Sequence, residues 1–359
     1  MAGTDLRAGD VVGRRLVLEE PFESEGGAVL PKLELAYTAH GDPGGDAVLV
    51  IHALTGHADA AGPAGWWRGL FDDGRRLAGP GRFVLCANLL GSCYGSSGPR
   101  TEGPDGRPWG GRFPDVTTRD QANALVRLLD HLGIERVRLA IGGSLGAMVL
   151  WQLLVDHPER VEQAVPIAGS AQASAWLIGL NHAARAAIKA DPEWRGGECE
   201  GTAPAAGLGV ARRIAMLSYR HHRQLGVRFG AAEDPRGATD FAVNGWLDHH
   251  ARTFAARFDA HAYLRLIGAM DTHDVARGHG TLECALRRIR AQVTVGGIDT
   301  DGLYPAEGLR ETVQRLRFTG VEAEYREITS AFGHDAFLVE IDQVEALLPG
   351  RVREAVCAF

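Results

Sequence analysis

The 359-residue sequence predicts an α/β fold: a largely parallel sheet, covered on both faces by helices and interrupted by one inserted helical segment. Short β-rich runs recur at residues 47–52, 83–87, 137–141, 164–168, 292–296 and 323–328. Helix-period segments at 118–132, 145–156, 306–318 and 342–356 follow several of them, each long enough to cross between parallel neighbours. From residue 171 to about 287 the strands give way to helix-like stretches around a Gly/Pro/Glu-rich loop at 191–209, and the strand rhythm resumes at Val293. The expected organisation is therefore a core of residues 1–170 and 288–359, with 171–287 as a helical lid inserted into it.

Composition narrows the function. Hydrophobic residues make up 45% of the chain and charged residues 23%, too apolar for a disordered chain and sufficient for a large core. Lys+Arg number 38 against 45 Asp+Glu, a net charge of −7 that repels phosphate backbones and anionic lipid, so neither nucleic acid nor a membrane surface is an expected partner. The five cysteines (Cys86, Cys93, Cys199, Cys284 and Cys357) show no C-x-x-C and no metal-like spacing to histidine; no metal is expected, and a reducing cytoplasm fits them. Residues 1–13 carry charges and no apolar run, so no secretory signal is expected and the mature chain should begin near Met1. The uncharged run 139–155 is broken by glycines, Ser144 and Gln152, and reads as strand, tight turn and buried helix rather than a membrane span of about 20 apolar residues.

That run contains the strongest chemical signal. Gly142-Gly-Ser-Leu-Gly146 fits G-x-S-x-G between an apolar strand and a helix, the setting of a nucleophile elbow. A turn this tight admits only small neighbours around a serine lifted above the sheet, which accounts for Gly142 and Gly146; a Gly-rich turn with an incidental serine is the alternative. A serine hydroxyl needs a base and an orienting carboxylate later in the chain. Asp299 and Asp301 follow the strand at 292–296, and His334 follows the strand at 323–328. Strand-end aspartates are most often turn or cap residues, but Ser144, Asp301 and His334 all fall where open α/β sheets gather functional groups, at the carboxyl ends of strands. Asp299 is the second candidate for orienting His334. An oxyanion hole is expected from the backbone N–H groups of Leu145, directly after the nucleophile, and Leu54, in the loop after the strand at 47–52, with His52 shaping that loop.

Several segments together carry a family resemblance: 52–56 (HALTG), Trp66-Trp67, 88–99 (NLLGSCYGSSGP), 113–116 (FPDV), 143–146 (GSLG), Ala211-Arg212, 217–220 (LSYR) and 333–338 (GHDAFL). Across residues from about 22 to 348 the chain resembles the homoserine O-acetyltransferase family of the α/β-hydrolase fold. The resemblance implies acyl transfer from acetyl-CoA to the hydroxyl of L-homoserine, a step toward methionine, through an acyl-Ser144 formed with His334 and Asp301. It implies that Arg212 clamps the substrate carboxylate, that Tyr219 and Asp335 complete the acceptor site, that no cofactor stays bound because CoA is a co-substrate, and that two chains pair through the lid. By themselves Arg212 reads as a solvated or salt-bridging helical arginine, Tyr219, Trp66 and Trp67 as packing aromatics, and Cys93 as inert. Leu145 stands where the family commonly has Met and Ala147 where a second Gly is usual, with Trp151 just beyond; these leave acyl-chain length open. Succinyl-CoA as donor, serine as acceptor, or an esterase or thioesterase that admits water remain the alternatives, and a non-catalytic member of the fold would have lost part of the triad.

Overall fold

A computed structural model describes residues 13–349 apart from 64, 73, 78–80, 200–203 and 233–240. The strands are β1 (Arg14–Leu18), β2 (Phe22–Glu23), β3 (Val29–Leu30), β4 (Leu33–Gly41), β5 (Asp46–Ile51), β6 (Arg82–Ala87), β7 (Val137–Gly143), β8 (Val161–Ile167), β9 (Gln292–Ile298) and β10 (Ala323–Ile328). Eight of them form one sheet in the order β1-β4-β6-β5-β7-β8-β9-β10, and β2 pairs with β3 in a small hairpin. From β6 to β10 every pairing is parallel, as the alternation in the sequence requires. The sequence reading lacked β1 and β4, which add antiparallel to the edge at β6. β1 buries only Leu16 and so carries almost no hydrophobic pattern, while β4 follows two tight turns and no helix. The short hairpin of β2 and β3 was likewise not foreseen.

Both faces of the inner strands β5 to β9 are largely buried, while the edge strands β1 and β10 are partly exposed, and side chains alternate between the faces along each strand. Leu49 and Ile51 of β5 join one apolar cluster with α1 (Thr118–His131) and α2 (Leu145–Asp156); Val48 and Val50 join the other with Ile141, Ile167, Trp67 and Phe337. At about 1.5–3 kcal/mol for each fully buried large apolar side chain, these two clusters are the main favourable term in folding. α1 starts at a capping box in which Thr117 and Asp120 satisfy each other's backbone N–H groups. α2 is buried from Leu145 to Val155, which explains the uncharged run; among the described residues no helix is long and apolar enough to cross a membrane.

Between β8 and β9 lie α3 (Ala175–Lys189), α4 (Ala205–Tyr219), α5 (His222–Phe229), α6 (Ala242–Arg257), α7 (Ala260–Asp271) and α8 (Leu282–Leu286). The two ends of this segment meet: Gln172 bridges Asp274, Ala173 N–H donates to His273 O at 2.8 Å and Val275 N–H to Ala171 O at 3.1 Å. After β9 come α9 (Ala306–Phe318), β10, α10 (Ala336–Val339) and α11 (Ile341–Leu347). The last helix is shorter than the expected 342–356; residues 350–359, with Cys357, lie outside the described residues, as do residues 1–12, on which the expected start near Met1 rests.

Register places the strand ends side by side. Gly143 of β7 pairs with Ile167 of β8, Ile167 with Gly296 of β9, and Ile298 with Ile328 of β10. Loops leaving β7, β9 and β10 therefore emerge at one edge of the sheet.

Candidate active site

Ser144 sits between β7 and α2 with φ 57° and ψ −123°, a conformation costing about 1–3 kcal/mol that only tight packing sustains. The packing is visible at its glycines. A Cβ on Gly142 would lie 2.6 Å from the Gly146 backbone, one on Gly143 would lie 2.5 Å from the Phe337 ring, and one on Gly146 would overlap the Ile51 carbonyl. The elbow is thus wedged between β5, its own helix and the loop that carries His334.

The hydroxyl of Ser144 donates to Nε2 of His334 at 2.9 Å, and Nδ1–H of His334 donates to Oδ2 of Asp301 at 2.7 Å. The other carboxylate oxygen of Asp301 accepts the N–H groups of Leu303 at 2.7 Å and Tyr304 at 3.0 Å, so the loop itself fixes the carboxylate. Asp299 instead accepts the Ser330 N–H at 3.0 Å, tying the ends of β9 and β10 together and leaving Asp301 as the partner of His334. Burial pulls the His334 pKa down, but the charge of Asp301, its hydrogen bond and the charge of Asp335 more than offset this, and the net shift is upward. Its ring is enclosed by Tyr219, Tyr304 and Phe337, with centroids 5.5, 5.4 and 5.5 Å away. Trp67 donates from Nε1 to Phe337 O at 2.9 Å and Trp66 to His57 O at 2.8 Å, packing roles as expected.

The loop after β5 bends as a turn in which Gly56 N–H donates to Ala53 O at 2.9 Å. His52, fully buried and with its pKa lowered by burial to about 4, is neutral; Nδ1–H donates to Ala53 O at 2.7 Å and Nε2 accepts the Leu89 N–H at 3.0 Å. It therefore joins the loops after β5 and β6. Among the described residues no acceptor is set against the N–H of Leu54 or of Leu145.

On the insert side, Arg212 of α4 lies 5.9 Å from the Tyr219 ring and 4.9 Å from that of Phe254. Its Nε is buried without a hydrogen bond, and no carboxylate of the described residues pairs with it. The Tyr219 phenol is pushed up to about 12 by burial, and so stays protonated. Asp335 is close to this group but has a cation already: Arg220 Nη2 stands 3.0 Å from its Oδ2. Burial raises the Asp335 pKa, with Arg220, His334 and Arg212 opposing. The sequence assigns no role to Tyr304, Phe337 or Arg220, although Arg220 lies in the segment 217–220, Phe337 in 333–338 and Tyr304 three residues after Asp301; only contacts reveal what they touch. Cys93 is buried and its thiol is pushed up to about 12, as befits an inert cysteine. A cavity of about 1380 Å³ lined by Trp109, Arg107, Lys189 and His261 contains none of Ser144, Asp301 or His334, whereas a space of about 20 Å³ lies beside Tyr219 and Leu303. Among the described residues no cluster of three or more His, Cys, Asp or Glu could hold a metal ion.

The α/β hydrolase fold family matches residues 46–341. The homoserine O-acetyltransferase of Thermobifida fusca (strain YX) is 43% identical over 95% of this chain and 94% of its own length. Among solved structures, homoserine O-acetyltransferase from Bacillus anthracis superposes with a TM-score of 0.87 at 24% identity, covering 93% of this chain and 95% of that one. Esterase E22 superposes with a TM-score of 0.85 at 24% identity over 93% and 98%. The two superpositions speak to fold alone, since a transferase and an esterase fit about equally well. Identity sustained over nearly the full length speaks to more, and on it the chain belongs to the homoserine O-acetyltransferase family of the α/β-hydrolase fold.

Proposed function

We propose that this protein transfers the acetyl group of acetyl-CoA to the hydroxyl of L-homoserine by a two-step mechanism. Ser144 Oγ attacks the thioester carbonyl as its proton passes to Nε2 of His334; the tetrahedral oxyanion is met by the N–H groups of Leu54 and Leu145, and the proton leaves with the CoA thiol. Neutral His334 then takes the proton of the homoserine hydroxyl, whose oxygen attacks the acetyl carbon, and the proton returns to Ser144. Asp301 keeps Nδ1–H of His334 in place and stabilises the imidazolium.

The observation that carries the reading is the hydrogen-bonded series Ser144, His334, Asp301 with an arginine unmatched by any described carboxylate beside it. A free amino acid brings the carboxylate that Arg212 lacks, held in bidentate fashion. Its ammonium would approach Oδ1 of Asp335, Oδ2 being held by Arg220. Acetyl-CoA acts as a co-substrate and not as a bound cofactor. Cytoplasmic location is supported by the unpaired cysteines Cys86, Cys93, Cys199 and Cys284. A homodimer through the inserted helices is supported by exposed apolar side chains there, including Val210 and Leu217 of α4 and Trp176 of α3.

The test is thiol release from acetyl-CoA and from succinyl-CoA, each with L-homoserine, with L-serine and without acceptor, against a Ser144→Ala blank. Homoserine-dependent release that is faster with acetyl-CoA is the expected result. Equal release without acceptor would make the protein a thioesterase, and preference for succinyl-CoA or serine would change the donor or acceptor.

A further inference from the structure

The Ala53 carbonyl and the Leu54 N–H belong to one planar trans peptide, so they point in opposite directions. His52 and Gly56 both bind the carbonyl, which turns the Leu54 N–H away from the His52 ring. That fixes one half of the turn from within the core. The other half is Thr55, and it is held from the insert. Arg257, the last residue of α6, donates from Nη1 to Thr55 O at 3.4 Å and to the hydroxyl of Tyr94.

A cation in the last turn of a helix ordinarily faces water and meets the helix dipole. Arg257 turns inward instead. Its guanidinium lies 5.3 Å over the Phe254 ring, the same ring on which Arg212 rests, and no carboxylate of the described residues pairs with it. Tyr94, its second acceptor, is fully buried, and its own carbonyl accepts from Nδ2 of Asn88 at 2.6 Å, whose Oδ1 accepts the Ala58 N–H at 2.7 Å. Arg257 therefore grips the turn at Thr55 and, through Tyr94, the loop after β6 that braces the residues following the turn.

We propose that Arg257 is a positioning residue for the oxyanion turn, holding Thr55 from α6 so that the Leu54 N–H stays directed at the acyl oxygen. The inserted helices then serve the acylation of Ser144 as well as the binding of the acceptor, and the two half-reactions share one electrostatic frame. This rests on Ser144 as the acyl carrier, and not on which amino acid accepts the acyl group.

The experiment measures the burst of acyl-enzyme from p-nitrophenyl acetate and from acetyl-CoA in the intact protein and in Arg257→Met and Arg257→Lys, together with kcat and KM for L-homoserine. Outright loss of an oxyanion donor costs 10²–10³-fold in rate, so a donor left loosely held is expected to slow acylation about 10- to 100-fold with either acetyl donor. The KM for homoserine should stay within about twofold and the acid limb of the pH profile should not move, because Arg257 acts through the turn and not through His334. Lysine, which keeps a donor and a charge, should recover part of the rate; if the methionine variant does not fold, the lysine variant alone must still show slowed acylation at unchanged KM. Unchanged acylation with a raised homoserine KM would overturn the proposal and make Arg257 a second carboxylate ligand beside Arg212. Unchanged acylation and unchanged KM would also overturn it. Should homoserine prove not to be the acceptor, the donor burst still reads the effect of Arg257.

Discussion

In the proposed mechanism His334 carries the pH dependence. Its neutral form is there the base, and its pKa is raised above the ordinary 6.5, burial being outweighed by Asp301 and Asp335. kcat/KM should therefore fall on the acid side with a midpoint above 6.5, losing about tenfold per pH unit further down. Asp301→Asn removes the principal opposing charge and leaves burial dominant, so the limb should move to lower pH while kcat falls about 10³–10⁴-fold. A pH–rate profile of both proteins with acetyl-CoA and homoserine reads the two effects; a limb that stays put in Asp301→Asn would remove Asp301 from the role. Arg212→Lys replaces a planar fork by a point charge and should raise the homoserine KM by about tenfold while leaving the acyl-enzyme burst unchanged. At this scale local pattern singled out Ser144, Asp301 and His334, while Tyr219 and Asp335 beside them came only through the family resemblance. Ser144 announced itself because its strained turn demands small residues next to it in the chain. Tyr304, Phe337 and Arg220 act through contacts between distant segments, which no local pattern encodes.

Elements meet at places where only a hydrogen fits. Gly333 opens the turn that carries His334 with φ +66°, and a Cβ there would lie 2.7 Å from Tyr219 O and 2.8 Å from His221 N. The end of α4 and the loop that carries His334 are therefore in direct backbone contact, which brings Tyr219 to His334. Gly333→Ala should cost about 1–3 kcal/mol from backbone strain alone, measured by urea unfolding, and should lower kcat at saturating substrate as the two segments part. Gly308 in α9 is the opposite case: nothing lies within 4 Å of an added Cβ and its φ is not left-handed. Gly308→Ala should stabilise the protein by about 0.5–1 kcal/mol with activity unchanged.

For the whole molecule, the proposed mechanism divides the labour between the sheet and the inserted segment. The series Ser144, His334, Asp301 stands on the strand ends of the sheet, while Arg212 and Tyr219 come from α4. If the inserted helices also join two chains, sedimentation should give twice the 38.4 kDa of one chain, and Leu217→Asp, at a half-exposed position of α4, should return it to one. A wild-type protein that sediments as a single chain at micromolar concentration would remove the dimer.

The sequence by itself determined the alternation of strands and helices, the elbow at Ser144, and the chain order of Asp301 and His334. Each of these is local: an apolar strand, a turn that tolerates only small residues and a strand-end loop all leave their mark within a few neighbouring positions. The tertiary structure decided the rest. It selected Asp301 over Asp299, because the register of β9 and β10 sends Asp299 to the Ser330 N–H. It paired Asp335 with Arg220, set β1 and β4 antiparallel on the sheet edge, and gave His52 its partner in the Leu89 N–H. These outcomes depend on which segments lie together once the chain has closed, and closure is a property of the whole chain that no short stretch of it records.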